Sequence, residues 1–279
     1  MLSYQHVYHA GHMADVIKHT VQTAILARLA EKDTPFTYFD THSGRGLYPV
    51  DAAEMQKTME WRMGVGRLWP RRGEPGMPVA VSRYLDVLSQ FNRGVGLMQV
   101  PGSPAIAQNM LRDTDKIIAV EAHPQEVQSL MDVLQADKRA DLYHGNGHVV
   151  VPTLLPPESK RGMILIDPSF EVKEEYATTV ATVDDIYGIW SKGTVVVWYP
   201  LLAAARHVEM LEGLEKLNIP GTWVTEVIWS DPAGGGMYGC GLVVLRMPFE
   251  LEKELEPAIT WLAEQFDGKA GFKWLHKPE

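Results

Sequence analysis

Met163-Ile164-Leu165-Ile166-Asp167-Pro168-Ser169-Phe170-Glu171 is the stretch whose reading decides the fold. Four apolar residues run straight into Asp-Pro-Ser-Phe. A continuous apolar run ended by a turn signal reads as a parallel strand buried on both faces. Proline cannot extend such a strand, so the chain breaks at the carboxyl end of a sheet. In open α/β sheets that edge is where ligands bind. An acid, a proline and an aromatic ring are therefore expected to project together into a substrate crevice.

That trio suits transfer to the exocyclic amine of a nucleobase. The amine's lone pair is delocalised into the ring and is a poor nucleophile. Asp167 accepting one N–H and the Pro168 carbonyl accepting the other would localise the lone pair, while Phe170 stacks on the base. The competing reading is a plain strand-ending turn with its aromatic ring in the core.

Outward from this stretch, the chain alternates strand and helix. Phe36–Asp40 is a first strand, ending in Asp40-Thr41-His42-Ser43-Gly44-Arg45-Gly46, a small loop that lets backbone approach a nucleotide-like ligand. Before it, Ala14 to Lys32 carries Ile17, Val21, Ala24, Ile25 and Leu29 at helical spacing. Lys116–Glu121 is a second strand ending in an acid, which suits a ribose diol. Leu142–His144 leads into Gly145-Asn146-Gly147, where Asn146 is placed to bond an adenine amino group, or simply makes an Asn/Gly turn. Pro101-Gly102-Ser103-Pro104 starts a helix to Arg112, with Ser103 expected as N-cap and Pro104 first inside. Thr194–Pro200 is a fifth strand and Leu201–Leu217 a helix. Thr222–Trp229 and Leu242–Met247 read as a final strand pair. The expectation is one doubly wound α/β domain.

Residues 47–96 interrupt that alternation as an insertion, leaving 1–46 and 97–279 as the main domain. Two helices are expected in it, Ala53–Trp69 and Val79–Phe91. Between Lys57 and Arg93 seven bases face three acids, a surplus of four, while the rest of the chain carries −13. A basic lobe on an acidic body fits a nucleic-acid contact through residues such as Arg71 and Arg72; a solvated helical hairpin fits equally.

At 279 residues, 46% hydrophobic and 22% charged, the composition is that of an ordinary globular protein. The net charge of −9 argues against a general polyanion binder. Cys240 is the only cysteine, so no intrachain disulfide or cysteine-based zinc site is available. No secretory h-region or membrane-length apolar run is read, and a cytoplasmic protein is expected. His6-x-x-His9-x-x-His12 raises a metal site, but Gly11 interrupts the spacing and no acidic second partner is evident, so no metal is expected.

With these residues in place, the chain resembles the bacterial 23S ribosomal RNA adenine-N6 methyltransferase family RlmJ over nearly its whole length. The resemblance rests on Met1-Leu2-Ser3-Tyr4 with His9-Ala10-Gly11 and Ala14 to Thr20, on Asp40-Thr41-His42, on Pro101 to Pro104, on Ile166-Asp167-Pro168 and on Trp198-Tyr199-Pro200. It implies a Rossmann-like class I fold with a small helical insertion and S-adenosylmethionine as cofactor. By position it implies cofactor binding by Lys18, His19, His42, Ser103, Glu121, Asn146, Gly147 and Asp167. Asp167 would be the catalytic acid, with Pro168 and Phe170 completing its motif, and Tyr4, His6 and Lys18 would lie at the target nucleotide. Ser169 and Phe170 replace a proline and a tyrosine of the family pattern, and Asn146 stands where an acid is usual. The expected partner is 23S ribosomal RNA, with a monomeric enzyme and no membrane. The alternatives are a DNA adenine-N6 methyltransferase and a non-catalytic nucleic-acid-binding or DNA-utilisation protein of the same fold.

Overall fold

The computed structural model describes residues 4–279; Met1, Leu2 and Ser3 of the opening motif lie outside the described residues. After a 3-10 turn at His6–Tyr8, α1 spans Met13–Ala30 and β1 Thr37–Asp40. The next segment holds β2 (Leu47–Pro49), α2 (Ala53–Thr58), α3 (Val65–Leu68), α4 (Val79–Phe91) and β3 (Gln99–Pro101). Then come α5 (Ser103–Met110), β4 (Lys116–Glu121), α6 (Pro124–Leu134), β5 (Ala140–His144), α7 (Gly147–Thr153) and β6 (Gly162–Ile166). The chain ends with α8 (Glu174–Ile189), β7 (Thr194–Leu202), α9 (His207–Lys216), β8 (Thr222–Ile228), β9 (Met237–Leu245), α10 (Glu252–Gln265) and β10 (Lys269–His276).

The large sheet runs β10-β8-β9-β7-β6-β1-β4-β5. From β5 through β7 the strands are parallel; β9, β8 and β10 add antiparallel pairs. Every residue of β6 is buried, and its side chains alternate between two cores. Met163 and Leu165 join α1, α4, α5 and α10, whereas Ile164 and Ile166 join the core under α7, α8 and α9. Helices on both faces are why the strand reads as an unbroken apolar run rather than an alternation. Strand order reverses between β1 and β6, so the crevice of this sheet opens at their carboxyl ends.

Several expectations need correction. The single helix over 53–69 is broken: Met59 adopts φ 53°, a left-handed conformation that ends α2, and short 3-10 turns flank α3. Leu47–Pro49 and Gln99–Pro101 form a two-stranded ribbon that period-based reading misses because each strand is three residues long. Ser103 is the first helical residue of α5, and Gly102 takes the N-cap position. Pro200 does not end its strand: β6 pairs β7 only up to Val197, so beyond it β7 has β9 alone as neighbour and a missing N–H is tolerated. The following helix therefore starts at His207, not Leu201. The helices α8 and α10 and the edge strand β10 had no counterpart in the sequence reading.

Candidate active site

Loops at the crevice enclose a cavity of about 900 Å³. Its floor comes from the ends of β1, β4, β6 and β7, and its wall from the first turns of α1 and the N-terminal segment. A chain of polar contacts crosses it. Tyr4 Oη meets His6 Nδ1 at 2.9 Å, and His6 Nε2 meets Asp15 Oδ2 at 2.9 Å. Lys18 Nζ donates to Asp15 Oδ1 at 2.7 Å and to Asp167 Oδ2 at 2.5 Å. Asp15 and Lys18 lie one turn apart on α1, so one helix face delivers both.

Burial dominates the electrostatics of this chain but loses to pairing. It pushes the Asp15 carboxyl up, yet His6 and Lys18 together hold it well below the usual range. It pushes the Lys18 ammonium down, yet Asp15 and Asp167 keep it above its ordinary value. At Tyr4 the charge of Lys18 is outweighed, and burial followed by the charges of Asp167 and Asp15 raises its phenol. His19, fully buried with neither ring nitrogen hydrogen-bonded among the described residues, is pushed down to about 3 by burial and by Lys18, and is neutral.

At the other end of the cavity, Glu121 ends β4 and accepts N–H bonds from Gly44 and His123, both at 2.7 Å. Burial nevertheless leaves its carboxyl raised. These amides fix the carboxylate while leaving lone pairs for a diol. Asn146 caps α7, its side-chain oxygen accepting the His148 N–H at 3.0 Å. A Cβ on Gly147 would lie 2.0 Å from the Thr41 carbonyl oxygen, so glycine there is set by the close approach of α7 to the β1 loop. The His42 ring meets the His148 ring edge-on at 5.0 Å. Burial, then His148, lowers His42 to about 3.

Residues 33–276 match the family model described as "Ribosomal RNA large subunit methyltransferase D, RlmJ". The chain belongs to this family. It is 35% identical over 280 residues to ribosomal RNA large subunit methyltransferase J of Escherichia coli K12, covering 99% of both chains. It is 34% identical to the enzyme of that name from Haemophilus influenzae, covering 98% of this chain and 97% of that one. A protein of Legionella pneumophila of known crystal structure superposes with a TM-score of 0.89 at 33% identity, covering 95% of this chain and 98% of that one. Membership makes the chain an S-adenosylmethionine-dependent ribosomal RNA methyltransferase, and the DNA-methylating and non-catalytic readings are not favoured.

The cavity fits that cofactor: a carboxylate pre-held at a strand end faces it, beside buried polar groups that lack partners among the described residues. Of the residues singled out in the sequence, Tyr4, His6, Lys18, His19, His42, Ser103, Glu121, Asn146, Asp167 and Pro168 line it together. Phe170 does not. It adopts φ 55° and is 3% exposed, its ring packed 4.5 Å from that of Tyr176 in the second core. The ring expected to stack on the base is thus turned inward. Arg71 and Arg72 also lie off the cavity. Arg71 pairs with Glu74 and Gln265, and Arg72 lies over the Trp69 ring at 4.0 Å. The three N-terminal histidines are separately employed: His6 on Asp15, His9 on Glu60 at 3.0 Å, and His12 as the α1 cap. The acidic partners of His6 and His9 escaped the sequence reading. No cluster of three metal-ligating groups occurs among the described residues.

Sequence reasoning also missed Asp15, Trp198 and His148. Asp15 was signalled by its spacing from Lys18. Trp198 was signalled by its place near the end of the strand beside β6, and it lines the cavity with Lys18 Nζ 5.9 Å from its ring centroid. His148 carried no signal beyond following Asn146-Gly147.

Proposed function

We propose that this chain methylates N6 of one adenine in 23S ribosomal RNA, acting in the cytoplasm as a monomer. The observation that carries this reading is Asp167 at the end of β6, gripped on one oxygen by Lys18 and followed by Pro168 in the same cavity. Asp167 and the Pro168 carbonyl accept the two N–H bonds of the target amine and aim its lone pair. Lys18, anchored by Asp15, fixes the Asp167 carboxylate before substrate arrives, which is positioning and electrostatic catalysis. With Phe170 buried, Trp198 offers the ring face for the extruded base. Tyr4 and His6 line the same mouth and contact the target nucleotide. Glu121 holds the ribose of the cofactor, with His19, His42, Ser103, Asn146 and Gly147 around the remainder. S-adenosylmethionine supplies an electrophilic methyl group. Residues 47–96 form a lobe that contacts RNA outside the cavity.

Tritium transfer from labelled S-adenosylmethionine, followed by nucleoside mass analysis, tests the reading. Label is expected in 23S fragments as N6-methyladenosine and not in duplex DNA. Asp167→Asn keeps size and one acceptor oxygen but loses charge. It is expected to lower single-turnover rate at least roughly a hundredfold, about 2.7 kcal/mol, with RNA affinity little changed. Label in DNA alone, or an Asp167→Asn enzyme of wild-type rate, overturns it.

A further inference from the structure

His148 lines the cavity at the end where the β5 loop and the β1 loop meet, and its Nε2 is buried with no hydrogen-bond partner among the described residues. Its other nitrogen, Nδ1, lies 2.9 Å from the Thr182 hydroxyl of α8. That hydroxyl has a single proton, which it donates to the Thr178 carbonyl at 2.8 Å. Towards His148 the hydroxyl oxygen can only accept. Nδ1 therefore carries the ring proton, and Nε2 is a bare acceptor. Burial lowers the ring to about 4, which keeps it neutral and the lone pair free. Backbone position is fixed as well, because the His148 N–H is the one that caps onto Asn146. The Asn146 oxygen, the other acceptor at this place, already spends one of its two lone pairs on that cap.

We propose that His148 Nε2 accepts a hydrogen bond from the exocyclic amine of the cofactor's adenine, with Thr182 as the positioning residue that sets its tautomer. This rests on the cofactor reading above and adds the residue that distinguishes a 6-amino from a 6-oxo purine. The nitrogen is buried in the free protein, and the His42 ring meets the imidazole edge-on. Cofactor entry turns His42 aside and exposes it. A bare acceptor repels a carbonyl oxygen, so the site rejects the deaminated purine as well as holding the amine.

Calorimetry on the full chain with S-adenosylhomocysteine and with S-inosylhomocysteine, its 6-oxo analogue, tests the assignment. The wild type is expected to prefer the amino ligand at least tenfold. His148→Ala loses most of that preference while binding the oxo ligand as before. Thr182→Val frees Nδ1, lets the ring adopt the other tautomer and raises affinity for the oxo ligand. As a check independent of any substitution, nitrogen NMR of histidine-labelled wild type should show the Nδ1–H tautomer at His148 and a shift of Nε2 on binding S-adenosylhomocysteine. An unchanged preference in His148→Ala with an unmoved Nε2 resonance overturns the assignment alone. If the wild type binds neither ligand, the cofactor reading falls with it.

Discussion

Asp40 ends β1 with its carboxyl wholly buried, accepting the Tyr38 hydroxyl at 2.7 Å. Burial raises it to about 6, although hydrogen bonds from Ser103 and Tyr38 pull the other way. In the unfolded chain the same group ionises near 3.8. Between these values the folded state binds the extra proton, so its contribution to stability is lost as pH rises through the window. Asp40→Asn, which stays neutral, should remove about 2 kcal/mol of that loss between pH 4.5 and 7, at 1.36 kcal/mol per pKa unit. Denaturant titrations of both proteins at the two pH values measure it, and parallel pH dependences would contradict the assignment. The two aromatic residues near Asp167 separate just as cleanly. Phe170→Leu keeps an apolar core residue and should cost stability but little methyl transfer. Trp198→Leu removes the half-buried ring that lines the cavity and should lower kcat/KM at least tenfold, on the scale of base–aromatic stacking. The opposite pattern in single-turnover assays would return the stacking role to Phe170.

The elements most legible in the sequence were those whose environment is uniform along their length. β6 and β4 lie inside the sheet with helices on both faces, so their apolar runs state both type and boundaries. The single helix expected over 53–69 fails first at Met59, where no Pro or Gly signals a break: the residue turns left-handed where the chain doubles back against the N-terminal segment. Gly64 shows the same thing more sharply. A Cβ there would sit 2.2 Å from the Gly11 carbonyl oxygen, which also accepts the Val65 N–H at 2.9 Å. This contact clamps α3 against the start of α1, upstream of Asp15 and Lys18. Gly64→Ala must push backbone against backbone, and is expected to destabilise by about 2 kcal/mol. Because the clamp supports the Lys18 turn, methyl transfer should fall more than RNA affinity does. A thermal midpoint equal to wild type would show that the clamp is slack. Apart from Tyr4, His6, Lys18, His19 and Ser103, which the family resemblance implied, the site was legible where a residue stood at or just beyond a strand end; Asp15, Trp198 and His148 owe their places to packing across elements distant in sequence.

For the molecule as a whole, charge is the open question, because an acidic chain must hold a polyanion. The basic segment is less free than its composition implies. Arg67 pairs with Asp267, Arg71 with Glu74, and Arg83 with Glu254. Arg71 also packs 4.9 Å from the Trp261 ring of α10, so part of its work is to fasten this segment to the body. The first two pairs are exposed, and pairs of that kind contribute little stability and exchange readily for phosphate, whereas Arg83–Glu254 is part-buried. Among the described residues Arg72 has no acid within ion-pair distance, and its guanidinium lies over the Trp69 ring. Replacing both Arg71 and Arg72 by Ala should therefore weaken RNA binding and reduce the dependence of log affinity on log salt by one to two units, about one per lost phosphate contact. S-adenosylhomocysteine affinity should be unchanged. Arg72→Ala alone should reduce the slope without lowering the melting temperature, whereas Arg71→Ala should do both. If filter binding across a salt series gives the wild-type slope for the double variant, phosphate is held by another face and the arginines of residues 57–93 serve only to fasten the segment.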